Sequence, residues 1–275
     1  MSVVHNIINK KPLDFSRLNN FVSGISDVLY EDRGEGTFLY WIDGKSTRGL
    51  NVTIEKDLIE VRNMVLSNRH DYELTNQIVA EIVTMTDGVV HDPEEKPISD
   101  FPLWSSDKIA ETELHDCDVI RTLSREHDVS IFGAIRNVHF GKRMYETLKP
   151  LEGSKLKDAI FDLILKVNYQ LPKFEPSGIM MVSSPGDDEK KKMKVITNEA
   201  DYIIDKYDYI LLFLSEGQPP IMITNAILNS ILPSGWTLVD EYTVVAPVIE
   251  QKEWDKFLKN AQKQDLWDSY MNKAL

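Results

Sequence analysis

Reactive side chains are densest in one stretch, ELHDCDVIRTLSREHD, at residues 113–128. His115 and Asp118 lie three residues apart, so on a helix they share one face and could bind the same metal ion. His127 within the stretch, or His91 before it, could complete the set of ligands. The chain contains no H-E-x-x-H motif and no cysteine pair, so only this spacing supports a metal site.

A catalytic thiol is the second chemistry that this stretch could support. A cysteine nucleophile needs a histidine base in contact with it, and Cys117 lies two residues from His115. Residues two apart on a helix point in different directions, so this pair cannot form the required hydrogen bond. The structural alternative is a helix that buries Cys117 and Ile120 and keeps its charges in water.

A basic patch follows in SIFGAIRNVHFGKRMY, residues 130–145, where hydrophobic positions alternate as in a strand. Its cationic residues are Arg136, His139, Lys142 and Arg143. These side chains could hold a carboxylate or phosphate ligand, or they could form ion pairs with neighbouring acids. The sequence leaves both interpretations open.

The letters GKST at residues 44–47 are those that end a phosphate-binding P-loop. Such a loop also needs a glycine five positions before the glycine of GK, and a helix directly after it. Leu39 occupies the position of that glycine, and the strand-like segment Leu50 to Ile54 follows instead of a helix. Asp43-Gly44 and Arg48-Gly49 supply the backbone freedom of a turn. GKST is therefore predicted to join two antiparallel strands.

Large aromatic residues are the candidates for a partner-binding surface. Phe38, Tyr40 and Trp41 occupy both faces of one predicted strand, and Trp267 lies near the C-terminus. Exposed rings of this kind are enriched at protein interfaces, whereas most large rings in a globular chain belong to its core.

The net charge of the chain indicates which kinds of molecule it could bind. Among 275 residues, 31 are basic and 44 are acidic, which gives a formal net charge of −13. Residues 1–150 hold 17 basic and 25 acidic side chains and the remainder holds 14 and 19, so the acidity is spread along the chain. An acidic surface repels phosphate groups, so neither a nucleic acid nor a membrane is expected as partner, and a basic protein is favoured.

The single cysteine excludes an internal disulfide and a zinc site built from several cysteines. The N-terminal sequence lacks the pattern of a secretory signal, and the longest apolar stretch, residues 210–214, is too short to cross a membrane. We expect a cytoplasmic protein that needs no cofactor.

The elements that position these residues form two similar halves. In the first half, helices begin near Asp14 and Asp71, three strands lie between them, and a short strand follows. The second half repeats this order, with a helix capped by Ser154, a helix opened by Pro219-Pro220 and a long strand from Trp236 to Val245. Consecutive strands without long crossovers indicate antiparallel sheets.

The predicted fold is therefore α+β, with mostly antiparallel sheets, helices packed on one face and two similar halves of helix-βββ-helix-β. We predict an N-terminal α+β unit at 1–100, a connecting helix-strand region at 101–150 and a C-terminal α+β unit at 151–275. The alternatives are a true internal duplication and one compact domain.

The most economical functional hypothesis is a non-enzymatic protein that acts by protein–protein contact and binds or neutralises a basic partner. In composition the chain resembles bacterial immunity proteins, which are acidic α+β chains poor in cysteine; no motif carries this resemblance. The alternative is a small-ligand or metal-dependent hydrolase that uses the His/Asp cluster at 91–139. A third hypothesis is self-association. The enzyme hypothesis requires His115, Asp118, His127 and His139 to converge in one cleft.

Overall fold

The protein is described by a computed structural model. The described residues are 2–92, 94–98, 102–174, 179–182, 190–214 and 217–274. The chain divides into two compact units, Met1–Gln170 and Leu171–Leu275. This division differs from the predicted boundaries, because the segments 101–150 and 151–170 both belong to the first unit.

One antiparallel sheet of six strands forms the framework of the first unit. The strands are β1 Val3–Ile8, β2 Val28–Asp32, β3 Thr37–Ile42, β4 Leu50–Ile54, β5 Leu58–Asn63 and β6 Val89–His91. Their order across the sheet is β2-β3-β4-β5-β1-β6. The sequence predicts the last four of these strands in chain order but not β1 and β2, so it predicts three strands where the sheet has four in succession.

One face of this sheet carries the core. Val52 lies opposite both Phe38 and Val61, and Tyr40 lies opposite Leu50, so alternate side chains of neighbouring strands point to the same side. Two helices, α1 (Phe15–Ser23) and α2 (Arg69–Thr86), cover this side. Each large aliphatic side chain buried here contributes about 1.5–3 kcal/mol. The buried helical residues packed against the sheet are Leu18, Val22, Tyr72, Leu74, Ile78, Val79 and Ile82.

Side-chain caps fix where these helices begin. The Asp14 carboxylate accepts the Arg17 N–H at 3.1 Å, which confirms the predicted start of α1. Before α2, the Asn68 side chain accepts the Asp71 N–H while the Asp71 carboxylate accepts the Asn68 N–H, which is a complete capping box. This box places the start of α2 two residues before the predicted one.

The rest of the first unit consists of helices and one β-hairpin. Its elements are α3 Ser106–Leu123, β7 Val129–Phe132, β8 Asn137–Phe140, α4 Lys142–Leu148, α5 Gly153–Leu165 and a π-helix at Lys166–Gln170. The strand-like alternation that starts at residue 130 belongs to a hairpin, since the chain turns at Gly133, whose N–H donates to the Arg136 carbonyl. Buried Asn168 of the π-helix secures this turn, because its Oδ1 accepts the N–H groups of Ile135 and Arg136 at 2.7 and 2.9 Å.

The described residues of the second unit form two small sheets. Its elements are β9 Ile179–Val182, β10 Lys191–Ile196, β11 Tyr202–Ile204, β12 Tyr209–Leu212, β13 Ile221–Ile223, α6 Asn225–Ser230, β14 Thr237–Leu238, β15 Val244–Ala246, α7 Gln251–Gln262 and α8 Trp267–Ala274. One sheet has the order β13-β12-β10-β9 and the other β11-β15-β14. The β10–β12 pair is parallel, and the other pairs in this unit are antiparallel.

Three local predictions for the chain after residue 150 are wrong. Helix α5 already begins at Gly153, and its N-cap position, Glu152, makes no side-chain cap bond, so Ser154 lies inside the helix. The residues after Pro219-Pro220 form β13, since their apolar run pairs with β12, and the next helix begins only after Thr224. The predicted long strand from Trp236 is folded into the β14–β15 hairpin.

Asp240 causes that fold-back. Its buried carboxylate accepts the N–H groups of Tyr242 and Thr243 at 2.9 and 2.7 Å, which bends the chain into a turn. A carboxylate that binds the backbone two and three residues ahead thus overrides the alternating pattern that predicted a strand.

The predicted fold class is confirmed: the structure is α+β with mostly antiparallel sheets. The proposed duplication is not confirmed, because the six-stranded sheet of the first unit differs in strand order from the sheets of the second. A search of the described part of the chain finds no helix with the length and apolar character needed to span a bilayer.

Candidate functional site

The structure separates the predicted His/Asp cluster. His115 and Asp118 lie on the exposed side of α3, where Asp118 forms an ion pair with Arg121 at 2.7 Å. His127 is exposed after the end of α3, whereas His139 is buried on β8 with its Nδ1 2.8 Å from the Ser130 hydroxyl. Within the part of the chain that is described, no three His, Cys, Asp or Glu side chains are grouped as a metal site would require.

Cys117 is part of the core. The side chain is fully buried, and burial, together with the charges of Asp116 and Glu113, raises the pKa of its thiol to about 12. A thiol is nucleophilic only as the thiolate. Cys117 therefore stays protonated at neutral pH, as the structural interpretation of this helix expects.

The GKST segment lies in the loop between β3 and β4, and no helix follows it. Ser46, Thr47 and Arg48 are nevertheless buried, unlike a solvated hairpin turn. The N–H groups of Arg48 and Gly49 donate to the Asp71 carboxylate at 3.1 and 3.0 Å. The loop thus binds an anion that belongs to the protein itself.

Asp71 links this loop to helix α2. It is fully buried, and the Thr47 hydroxyl lies 2.9 Å from the carboxylate oxygen that also accepts the Asn68 N–H. A carboxylate at a helix N-terminus is stabilised by the helix dipole and by the free N–H groups there. The sequence did not predict this interaction, although the N-x-x-D spacing of a capping box, here Asn68 to Asp71, marks the start of α2.

Further buried charges extend the same junction. Arg48 donates to the Val65 carbonyl at 2.6 Å, and burial lowers the pKa of its guanidinium to about 10, although Asp71 and Asp116 oppose that shift. Asp116 of α3 accepts the Leu66 N–H at 2.9 Å. These hydrogen bonds join the β3–β4 loop, the β5–α2 loop and α3. Arg48, Asp71 and Asp116 therefore have a structural role in the first unit.

Of the basic patch, Lys142 lines a hollow between the segment after α3 and helix α4. Arg136 is half-buried in the hairpin turn, and its backbone N–H is held by Asn168. The hollow has a volume of about 570 Å³, and its lining combines both signs of charge. The lining residues are Arg125, Glu126, Lys142, Tyr145, Glu146 and Lys149. Three cations and two carboxylates line this hollow, so its surplus is a single positive charge, which is weak support for a phosphate site.

The aromatic candidates differ in exposure. Tyr40 is fully buried in the core, so it cannot form part of a surface. Phe38 and Trp41 are half-buried, and the Phe38 ring packs on Phe15 with 4.3 Å between centroids. Trp267 is half-buried and packs, within the second unit, on a cluster formed by Met193, Leu211 and Met222.

Strand β2 carries one of the exposed apolar surfaces of the first unit, although Phe132 and Ile135 of the β7–β8 hairpin are more exposed, at 65% and 51%. It is an edge strand, and it exposes 45% of Leu29 and 47% of Tyr30. Because consecutive residues of a strand point to opposite faces, Glu31 shares the face of Leu29, and Asp32 shares the face of Tyr30. We call this surface the β2 edge and define it by Asp27, Leu29, Tyr30, Glu31, Asp32 and Glu35, all of which are exposed.

The charges of the β2 edge are only partly compensated. Lys45 pairs with Asp27 and Arg33 pairs with Glu31, both at 3.3 Å. Among the described residues, no basic side chain lies within 4.0 Å of Asp32 or Glu35. The β2 edge therefore combines exposed apolar area with negative charge that no ion pair compensates at Asp32 and Glu35. The sequence does not predict this surface because its pattern does not predict strand β2.

Comparison with known proteins adds no relative: no family model, curated protein or solved structure matches this chain.

Proposed function

We propose that this chain is a non-enzymatic protein that binds a basic partner protein through the β2 edge. The observation that carries the proposal is the exposure of Leu29 and Tyr30 between the carboxylates of Glu31, Asp32 and Asp27 on an edge strand. Apolar contact area surrounded by charge of one sign is a common arrangement at interfaces, where the charges select the partner and speed its association.

The wider charge of the chain supports a basic partner. The formal net charge of −13 attracts cations at long range, and the β2 edge provides a place where this attraction is joined to short-range contact. We expect the protein to be cytoplasmic. Its single cysteine is a buried free thiol, and cytosolic proteins rarely contain disulfides. No observation in the described part of the chain favours the hydrolase alternative.

Affinity capture with three versions of the protein tests the proposal. Glu31→Lys with Asp32→Lys reverses the charge of the β2 edge, whereas Glu73→Lys with Glu111→Lys makes the same change in net charge on exposed positions of α2 and α3. We expect the wild type and the helix variant to capture the same basic protein, and the β2 variant to bind it at least tenfold more weakly. Binding should weaken as the salt concentration rises.

Three results would contradict this function. The first is capture of the same protein by all three versions, and the second is an acidic captured protein. The third is the absence of any protein that the wild type and the helix variant share.

A further inference from the structure

We propose, on the basis of the function proposed above, that the partner contributes an extended basic segment that pairs with β2 as an additional strand of the sheet. The backbone of β2 is the first argument. Asp43 N–H donates to the Asp27 carbonyl, and Arg33 N–H donates to the Thr37 carbonyl, so the odd-numbered residues of β2 bond to β3. In an antiparallel pair this pattern alternates, and Tyr30 and Asp32 therefore direct their N–H and C=O groups away from the sheet.

The two edges of the sheet differ in how they are covered. At the opposite edge the chain itself returns along β6, where Ile98 N–H donates to the Val90 carbonyl at 2.7 Å and Pro97 forms a bridge with His91. Among the described residues, no strand pairs with the outer side of β2. Unpaired backbone groups along an edge strand are a template for strand addition.

The side chains of β2 indicate which strand fits. Within Val28–Asp32, proline and lysine, two residues that natural edges use to prevent pairing, are both absent. The charged residues of this strand are Glu31 and Asp32, and they repel a second copy of the same acidic edge while they attract a basic strand. An added strand would place apolar residues beside Leu29 and Tyr30 and cationic residues beside Glu31 and Asp32.

The test uses a synthetic nine-residue peptide in which pairs of lysines alternate with pairs of apolar residues, so that an antiparallel strand can place lysines beside Glu31 and Asp32 and valines beside Leu29 and Tyr30. Binding to the full chain is measured by fluorescence anisotropy for the wild type, Tyr30→Ala and Tyr30→Pro. Both variants remove the ring, but only proline removes the outward N–H, and proline is tolerated where an edge-strand N–H faces solvent. We expect Tyr30→Pro to bind at least tenfold more weakly than Tyr30→Ala, because a carbonyl of the peptide loses its donor.

Two N-methylated peptides provide a test that leaves the protein unchanged. One carries N-methyl groups on its odd residues and the other on its even residues, so in a strand pair only one of them loses its bonds to β2. Equal binding of the two peptides, together with equal binding by Tyr30→Pro and Tyr30→Ala, would overturn strand addition.

The outcomes separate this inference from the function on which it rests. If Glu31→Lys with Asp32→Lys abolishes binding while backbone changes have no effect, the acidic surface acts through side chains alone, and only strand addition is refuted. If the wild type sediments as a dimer that Tyr30→Pro dissociates, a second copy occupies the edge, and the basic-partner proposal is also refuted.

Discussion

Acidification from pH 7 to pH 5 is expected to destabilise the first unit through His5. This side chain is 2% exposed, its ring packs edge-on against Trp104, and its Nδ1 has no hydrogen-bond partner among the described residues. Burial, reinforced by the charge of Lys108 and partly opposed by Asp92, lowers the pKa of His5 from 6.5 to about 4. The folded state therefore resists protonation of a residue that the unfolded state protonates readily.

The sign and size of the effect follow from proton linkage. The pKa of His5 is lower in the folded state than in the unfolded state. The contribution of His5 to stability is therefore complete above pH 6.5, and the free energy of unfolding decreases as the pH falls from 6.5 towards 4, because only the unfolded state binds the proton readily in this range. Between pH 7 and pH 5 the unfolded state gains about 0.7 of a proton at this residue, and the resulting loss of folding stability is about 2 kcal/mol. The pH range of this loss separates it from the titration of ordinary carboxylates, which lies lower.

Urea unfolding of the wild type and of His5→Phe at both pH values measures this contribution. Hydrogen exchange of peptides from the six-stranded sheet restricts the measurement to the first unit. Phenylalanine keeps a ring against Trp104 and cannot be protonated, so the variant should lose about 2 kcal/mol less than the wild type on acidification. His115→Gln, at an exposed position on α3, is the control and should behave as the wild type does. An equal loss in the wild type and in His5→Phe would refute the reasoning.

Three other perturbations test the buried junction and the core. Asp71→Asn should destabilise the first unit by roughly 3 kcal/mol in urea unfolding, because the amide cannot accept all the N–H bonds that the buried carboxylate accepts; a loss below 1 kcal/mol would contradict this role. Gly49→Ala should cost more than Gly44→Ala in thermal unfolding, since both glycines have positive φ but only at Gly49 would a Cβ lie 2.4 Å from the Tyr40 carbonyl oxygen. Cys117 should react with a thiol reagent only in denaturant, and rapid labelling of the native protein at pH 8 would show that its burial is wrong.

The sequence by itself determined the elements whose pattern is local. The helix that begins near Asp14, the strand from Leu50 to Ile54, and the helix that buries Cys117 and Ile120 are all present as predicted. The GKST segment connects two antiparallel strands, as predicted. The prediction used only nearby residues: the missing glycine at position 39 and the strand-like segment that follows the loop. A local sequence pattern is enough to predict an element when the residues that form its hydrogen bonds and its buried face are near one another in the chain.

Only the tertiary structure decided which distant groups meet. The partner of the GKST loop is Asp71, more than twenty residues away, and Asn168 secures the hairpin turn at Ile135 and Arg136. The histidines that are close in sequence are separated because α3 turns His115 to solvent while β8 buries His139. The status of β2 as an edge depends on the order of all six strands, since an exposed strand and a central strand can have the same composition. Burial and backbone pairing are set by the whole sheet, so the surface proposed for partner binding appears only after folding.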